Sequence, residues 1–377
     1  MSSAISLRSA ANATRVAFIA NGLVFASWAP IIPFAKSNTG VDEAALGLLL
    51  LCLGIGSVVA MPVIGWLCAR YGTRPMILIS TTLAACVLPL LGYLDEYFAL
   101  AVALLVFGAA LGTLDVAMNI HAAEVEKRSE RALMSGFHGM FSVGAICGAG
   151  FVTLMISSGI EPLTATLCVS ISVIIALLAV QSHYLSTKTE APQPFRLPSG
   201  IVRWLAILAG IAFLIEGAIM DWGALLMIER RVFSIEQAAL GYIAFSITMV
   251  IGRLSGDFVV PRISRRLVLI GGGALVVVGL IAITTVPSPA LNLAGFAIIG
   301  LGAANLVPVV FSLAGQQQDM DPNMAVASVT FVGYTGILLG PAIIGFGAQF
   351  TSLSWAMASL AVLGAIYLIS PVHKGSS

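Results

Sequence analysis

Long apolar runs alternate with short polar breaks along the whole chain. A helix needs about 20 apolar residues, at about 1.5 Å rise each, to cross the hydrocarbon core of a bilayer. By that measure the pattern predicts spanning helices near 13–35, 43–68, 75–94, 97–122, 133–157 and 162–184. A polar stretch with Lys188, Pro192, Pro194, Arg196 and Pro198 then interrupts the series. A second set follows near 203–228, 237–259, 266–286, 290–314, 325–348 and 353–371. The runs are continuous rather than alternating, which argues against a β-barrel. The expected fold is an all-α membrane protein with 12 transmembrane helices. Its parts are an N-terminal six-helix bundle over 1–184, a cytoplasmic linker over 185–202 and a C-terminal six-helix bundle over 203–377.

Composition narrows the function class. The 377 residues are 59% hydrophobic and 9% charged, against about 45–50% apolar and about 25% charged in a soluble domain. An ordinary cytosolic enzyme and a disordered chain are excluded. A net charge of +1 leaves no electrostatic footprint for nucleic acid. Cys52, Cys68, Cys86, Cys147 and Cys168 form no CxxC pair and read as small buried hydrophobes. The first apolar run has no small-residue cleavage site before a polar region, so it reads as a permanent helix. No HExxH, GxSxG, P-loop or CxxCH motif is present, so the expectation is a protein that is not an enzyme and needs no cofactor or metal.

The basic residues set an orientation. Fourteen of the 18 Lys and Arg residues fall on the side of the N-terminus; Lys36, Arg230 and Arg231 fall on the other, and Arg253 lies inside a helix. The positive-inside rule then puts both termini and the linker in the cytoplasm, which an even number of crossings satisfies.

The two halves repeat. Trp28 and Trp222 are 194 residues apart, and Ala44-Ala45-Leu46-Gly47 recurs as Ala238-Ala239-Leu240-Gly241 at the same offset. Gly108-Ala109-Ala110 and Gly302-Ala303-Ala304, and Phe137-x-Gly139 and Phe331-x-Gly333, are also 194 apart. An even number of crossings between repeats makes them parallel. The loop after the second segment reads Gly65-Trp66-Leu67-Cys68-Ala69-Arg70-Tyr71-Gly72-Thr73-Arg74, and Pro261-Arg262-Ile263-Ser264-Arg265-Arg266 matches it with a two-residue slip. Arg70 and Arg74 are candidate gating residues, since arginines at a helix end can meet carbonyls or acids of a neighbour in one conformation only. The alternative is a role in topology alone.

Ionisable groups at membrane depth cost several kcal/mol unless paired or hydrated, which makes them functional candidates. In the fourth segment Asp115 and Asn119 are four apart and share a face. A carboxylic acid held there is suited to carry a proton, the alternative being an acid satisfied by His138 or another polar neighbour. His138 and Ser142 lie in the fifth segment; Glu216, Asp221 and Trp222 lie in the seventh. Glu216 and Asp221 are five apart and do not share a face. Asp115, Glu216 and His138 are the proton-coupling candidates. Asn21, Trp28, Asn119, Ser142, Asp221, Trp222, Asn305 and Tyr334 are the substrate-binding candidates. Trp28 and Trp222 read as belt anchors, as lids over substrate, or as both. Arg253 and Asp257 form an i,i+4 pair expected to be structural or gating. Gly144-x-x-x-Gly148 and Gly336-x-x-x-Gly340-Pro341 permit close helix packing.

The whole chain resembles a transporter of the major facilitator superfamily. The loop at Gly65–Arg74 is similar to that family's G-x-L-x-D-R-x-G-R-R signature, with Ala69 in place of the acid. More narrowly, the chain resembles the YbjJ-type inner-membrane proteins, related to the fucose permease branch. The residues that carry this are Phe25-Ala26-Ser27-Trp28, Gly112-x-x-Asp115-x-x-x-Asn119, His138-Gly139-x-x-Ser142-x-Gly144, Glu216-Gly217-x-x-x-Asp221-Trp222 and Gly252-Arg253-x-x-Gly256. In that branch an acid-x-x-x-Asn serves proton coupling beside a sugar, which the resemblance carries over to Asp115 and Asn119. The branch's second acid has no counterpart, since Asn21 and Gly22 stand in the first segment's middle, and Glu216 is expected to take part of that role. Drug/proton antiporters of the superfamily carry G-x-x-x-G-P in the fifth segment, and the proline is absent after Gly148.

The resemblance implies a secondary active transporter of the bacterial inner membrane. It would be proton-coupled and monomeric, moving a small polar solute, such as a sugar, by alternating access. An efflux antiporter for amphiphilic compounds and a non-transporting membrane receptor are the alternatives.

Overall fold

The computed structural model describes residues 6–41, 43–185, 197–233, 237 and 240–371. Residues 186–196 of the expected linker, Ala238 and Ala239 of one repeat match, and Lys374 lie outside them. Among the described residues the chain is all-helical, with no strand.

The first crossing is broken. Helix α1 (Leu7–Ser27) passes through a 3-10 turn at Ala29–Ile31 into α2 (Ile32–Thr39). An unbroken segment was the expectation over 13–35; Pro30 and Pro33 each remove an N–H donor and crowd the carbonyl four residues back. The next crossings are α3 (Glu43–Tyr71), α4 (Thr73–Leu91), α5 (Tyr97–Ser129), α6 (Met134–Ser157) and α7 (Pro162–Val180). Helix α5 runs seven residues past its predicted end and stops at Glu130, whose φ of 53° closes it.

Helices α8 (Gly200–Glu229), α9 (Leu240–Ile263) and α10 (Arg265–Thr285) continue the series. The tenth crossing is also broken, into α11 (Pro289–Ala303) and α12 (Leu306–Gln316). Pro308 supplies the reason: its ring crowds the carbonyl of Ala304, four residues back, where the helix parts. Helices α13 (Pro322–Phe350) and α14 (Leu353–Ile369) complete the chain. Eleven segments among the described residues are long and apolar enough to span a membrane, and the 17-residue α14 is apolar but shorter. Together they make the twelve-crossing, two-repeat arrangement.

Two compact units emerge. One comprises Met1–Glu130, Phe137–Leu197 and Asp321–Ser328; the other comprises Arg131–Gly136, Pro198–Met320 and Val329–Ser377. In the first, α5 packs on α3, α4 and α1, and α7 packs on α4 and α1. Its apolar core includes Val24, Trp28, Leu88, Phe107 and Val169. In the second, α10 packs on α11 and α14, α9 on α11, and α8 on α12 and α14.

Lipid tails are as apolar as leucine, so helix association in a membrane depends on close packing rather than on hydrophobic transfer. Glycine supplies it here. The carbonyl of Leu53 in α3 occupies the space that a Cβ on Gly108 of α5 would take, and the carbonyl of Phe245 in α9 does the same to Gly300 of α11. Both residues of this contact recur 192 positions on. Gly300 therefore matches Gly108, rather than the Gly302 that a 194-residue offset selects. Two residues separate the register of this contact from that of Trp28 and Trp222.

Backbone carbonyls cannot step aside as a side chain can. Gly108→Val and Gly300→Val should each lower the thermal midpoint of the purified protein in detergent, with a cost of about 1–3 kcal/mol or more from overpacking. Gly150→Ala should leave it unchanged, because nothing lies within 4 Å of a Cβ there.

Candidate functional site

In the first unit, α5 carries the predicted acid. Asp115 keeps only 8% of its surface accessible, and Asn119 one turn on is fully buried. Asn119 Nδ2 donates to the Asp115 carbonyl at 2.8 Å, so the two do share a face. Among the described residues no hydrogen bond or ion pair reaches the Asp115 carboxyl, and Asn119 Oδ1 has no partner. The pairing of Asp115 with His138 that the sequence allowed is therefore not made. His138 in α6 instead packs edge-on against Phe18, with ring centroids 5.2 Å apart. Asn21 of α1 is buried, and its Nδ2 faces the Met118 sulfur at 3.7 Å, a weak acceptor for an amide. Ser142 Oγ donates to the His138 carbonyl at 3.3 Å. Trp28 ends α1 inside the core, 5% exposed, with its indole N–H unpartnered among the described residues. A lipid-interface anchor would be exposed, so the belt reading of Trp28 falls.

The packing that brings α1 to α6 rests on the predicted small-residue motif. The carbonyls of Ile19 and Leu23 lie against Gly144 and Gly148.

In the second unit the acids have different surroundings. Arg253, buried in α9, reaches Glu216 of α8 at 3.3 Å. Asp257, expected beside Arg253, accepts a hydrogen bond from the Gly136 N–H at 2.8 Å. Asp221 is exposed, and among the described residues no hydrogen bond or ion pair reaches it. Trp222 is half-buried against Gly345, its indole N–H unpartnered among the described residues. Asn305 stands at the break between α11 and α12 and donates to the Gly252 carbonyl at 2.9 Å. Tyr334 of α13 leans on Phe213, with centroids 5.8 Å apart. Arg70 lies over Trp66 and Tyr71, and Arg74 is exposed; among the described residues neither meets a carboxylate or a carbonyl.

Two groups escaped the sequence reading. Tyr242 of α9 stands beside Ser246 and within electrostatic reach of Glu216, Asp221 and Arg253. Its position on the same face of α9 as Arg253, about three turns earlier, was the available signal. His121 of α5 is fully buried. Its Nε2 accepts from the Leu185 N–H at 2.9 Å, which puts the ring proton on Nδ1. Nδ1 faces Thr14 Oγ1 at 2.9 Å, and that hydroxyl donates onward to the Ala10 carbonyl. Tyr184 packs edge-on against the imidazole. A neutral histidine thus ties α1, α5 and the start of the interdomain segment together. No local sequence pattern announces it, because its partners lie 107 and 64 residues away.

A bundle of twelve membrane crossings in two repeats, with a buried acid unpaired at mid-helix, has the build of a solute carrier. The family model of the Major Facilitator Superfamily matches residues 16–320, and the chain belongs to that superfamily. It is a multi-pass membrane protein of a transporter family whose members bind small molecules, often together with protons, and are generally not enzymes. An uncharacterized MFS-type transporter of Yersinia pestis is 47% identical over 352 residues, covering 93% of this chain and 92% of that one. Among solved structures, a point variant of the Escherichia coli fucose:proton symporter FucP is similar, with a TM-score of 0.79 at 15% identity, covering 97% of this chain and 98% of that one. The human organic anion transporter MFSD10 is also similar, with a TM-score of 0.76 at 14% identity, covering 96% of this chain and 99% of that one. At those identities the likeness is one of fold.

His121→Phe keeps a ring of similar breadth but strands the Leu185 N–H and takes away the donor to the Thr14 hydroxyl oxygen, whose own proton stays on the Ala10 carbonyl. It should cost about 1–3 kcal/mol, the usual penalty for buried groups left unpaired, read as a lower thermal midpoint in detergent. His121→Asn, able to replace one of the two bonds, should fall between.

Proposed function

We propose that this chain is a proton-coupled secondary transporter that moves a small polar solute, a sugar being the leading class, by alternating access. The observation that carries the reading is the Asp115 carboxyl, buried among the helices of the first unit with no partner among the described residues. An ionised carboxylate without a partner is costly in such a place, whereas a neutral acid is tolerated. Asp115 is therefore the group to which this reading assigns the coupled proton. Asn119 Oδ1, an unpartnered acceptor on the same face, can accept a hydrogen bond from a cargo hydroxyl. The further cargo contacts on this reading are Asn21, Trp28 and Ser142 in that unit, and Asp221, Trp222 and Tyr334 in the other. The fold shared with a fucose:proton symporter supports the same reading.

Glu216 takes a different part from the one its sequence suggested. Its ion pair with Arg253 favours a structural or gating role, together with Asp257, over a second proton carrier. The orientation follows the basic residues, with both termini and the linker on the cytoplasmic side of a bacterial inner membrane. The bundles are bounded by residues 184 and 203, and the transporter acts as a monomer. Export of an organic anion is the second reading; the fold shared with an organic anion transporter favours it.

Solute-driven proton uptake into proteoliposomes, run across sugars, sugar acids and organic anions, tests both readings. Asp115→Asn should abolish proton uptake and leave solute counterflow running. Counterflow and proton uptake both unchanged in that variant would remove Asp115 from coupling. Proton movement opposite to that of an anionic solute would favour the second reading.

A further inference from the structure

Each unit carries the same cationic constellation at one helix end, outside the buried polar groups to which the transport reading assigns proton and cargo. Arg70 lies over the Trp66 ring, 5.3 Å from its centroid, four residues back on α3. Arg262 lies over the Phe258 ring at 3.3 Å, four residues back on α9. Two residues after each arginine comes a one-residue connection to the next helix. That residue is Gly72 (φ 90°) in one unit and Ser264 (φ 74°) in the other. A second arginine, Arg74 or Arg266, follows in the first turn of the next helix. All four positions recur at a spacing of 192, the spacing of the Leu53–Gly108 and Phe245–Gly300 contact.

The charges are uncompensated. Among the described residues no carboxylate lies within ion-pair distance of Arg70, Arg74, Arg262 or Arg266. The positions where a partner acid would stand are Ala69 and Pro261, and neither α4 nor α10 has an acid in its first turn. All four arginines are exposed. They crown an apolar surface rather than line a pocket. Val59 on α3 and Ile251 on α9, again 192 apart, are 69% and 59% exposed, and Phe258 is 61% exposed. Such a surface faces lipid tails, so the guanidinium groups stand at the level where tails meet headgroups.

We propose that these two helix ends are binding sites for the phosphate of an anionic phospholipid, one in each unit. The paired arginines take the phosphate through charge-assisted hydrogen bonds. The aromatic ring beneath each first arginine holds its guanidinium flat against the helix end. The exposed apolar stripe below takes the acyl chains, which is why a lipid rather than a free anion is the occupant. A basic side chain is drawn to an anionic lipid surface, so four together favour that lipid measurably.

The test compares thermal midpoints of the full chain in nanodiscs of phosphatidylcholine alone and of phosphatidylcholine with phosphatidylglycerol. Phosphatidylglycerol should raise the wild-type midpoint, and R70Q/R74Q/R262Q/R266Q should lose most of that rise. R70Q/R74Q and R262Q/R266Q, measured separately so that the test survives misfolding of the fourfold variant, should each lose about half, as independent sites do. Equal wild-type midpoints in the two lipid mixtures would overturn the proposal. So would an undiminished rise in both paired variants, or the same rise from inorganic phosphate added to phosphatidylcholine discs.

Discussion

The hydrocarbon core of a bilayer offers no hydrogen bonds, and that single constraint shapes every level of this protein. Each crossing must satisfy its own backbone, so all of them are helices. The helices cannot be driven together by hydrophobic transfer, so contact must come from shape. Where α3 meets α5 and α9 meets α11, the shape is a carbonyl lying on a glycine. The same constraint governs the two broken crossings. At Pro30 and Pro33, and again at Pro308, the proline ends the regular ladder and a tighter turn or a cap takes over. Asn305 stands at the second break and spends its amide on the Gly252 carbonyl, so the joint is itself bonded to a neighbouring helix.

The same scarcity of partners separates the acids of the two units. Glu216 has answered it with Arg253, and Asp257 with a backbone N–H. Among the described residues, Asp115 has not answered it at all. A group that keeps its partner in every state is structure, and a group that lacks one is available to change its charge. His121 shows that burial alone is no guide: it is as deeply buried as Asn119, yet both ring nitrogens are engaged and it has nothing to exchange.

Most of the fold was legible in the sequence, because runs of apolar residues and the positions of arginine are strong signals. The halves' kinship was legible too, but its register was not. The 194-residue offset holds for Trp28 and Trp222, while the packed contact at Gly108 and Gly300 follows 192. Repeated small residues are common enough in such a chain that Gly302 matched as well as Gly300 did. The breaks in the first and tenth crossings were written in the prolines and were passed over for the length of the apolar runs. Within the candidate site, the shared face of Asp115 and Asn119 was legible from spacing alone. The partners of Glu216, Asp257 and His121 were not, since each lies on another element and no spacing along one stretch of sequence encodes them.

The single residue between α9 and α10 has a counterpart between α3 and α4. Gly72 sits at φ 90° and ψ 160°, and Ser264 sits at φ 74° and ψ 149°. That region of backbone space belongs almost entirely to glycine, and a side chain there costs about 1–3 kcal/mol. Ser264 recovers part of this by capping α10, its Oγ accepting from the Leu267 N–H at 3.4 Å. The two halves thus trace one backbone path at this joint with different residues, and the hydroxyl offsets in one half the strain that glycine avoids in the other. Shape repeats more faithfully here than letters.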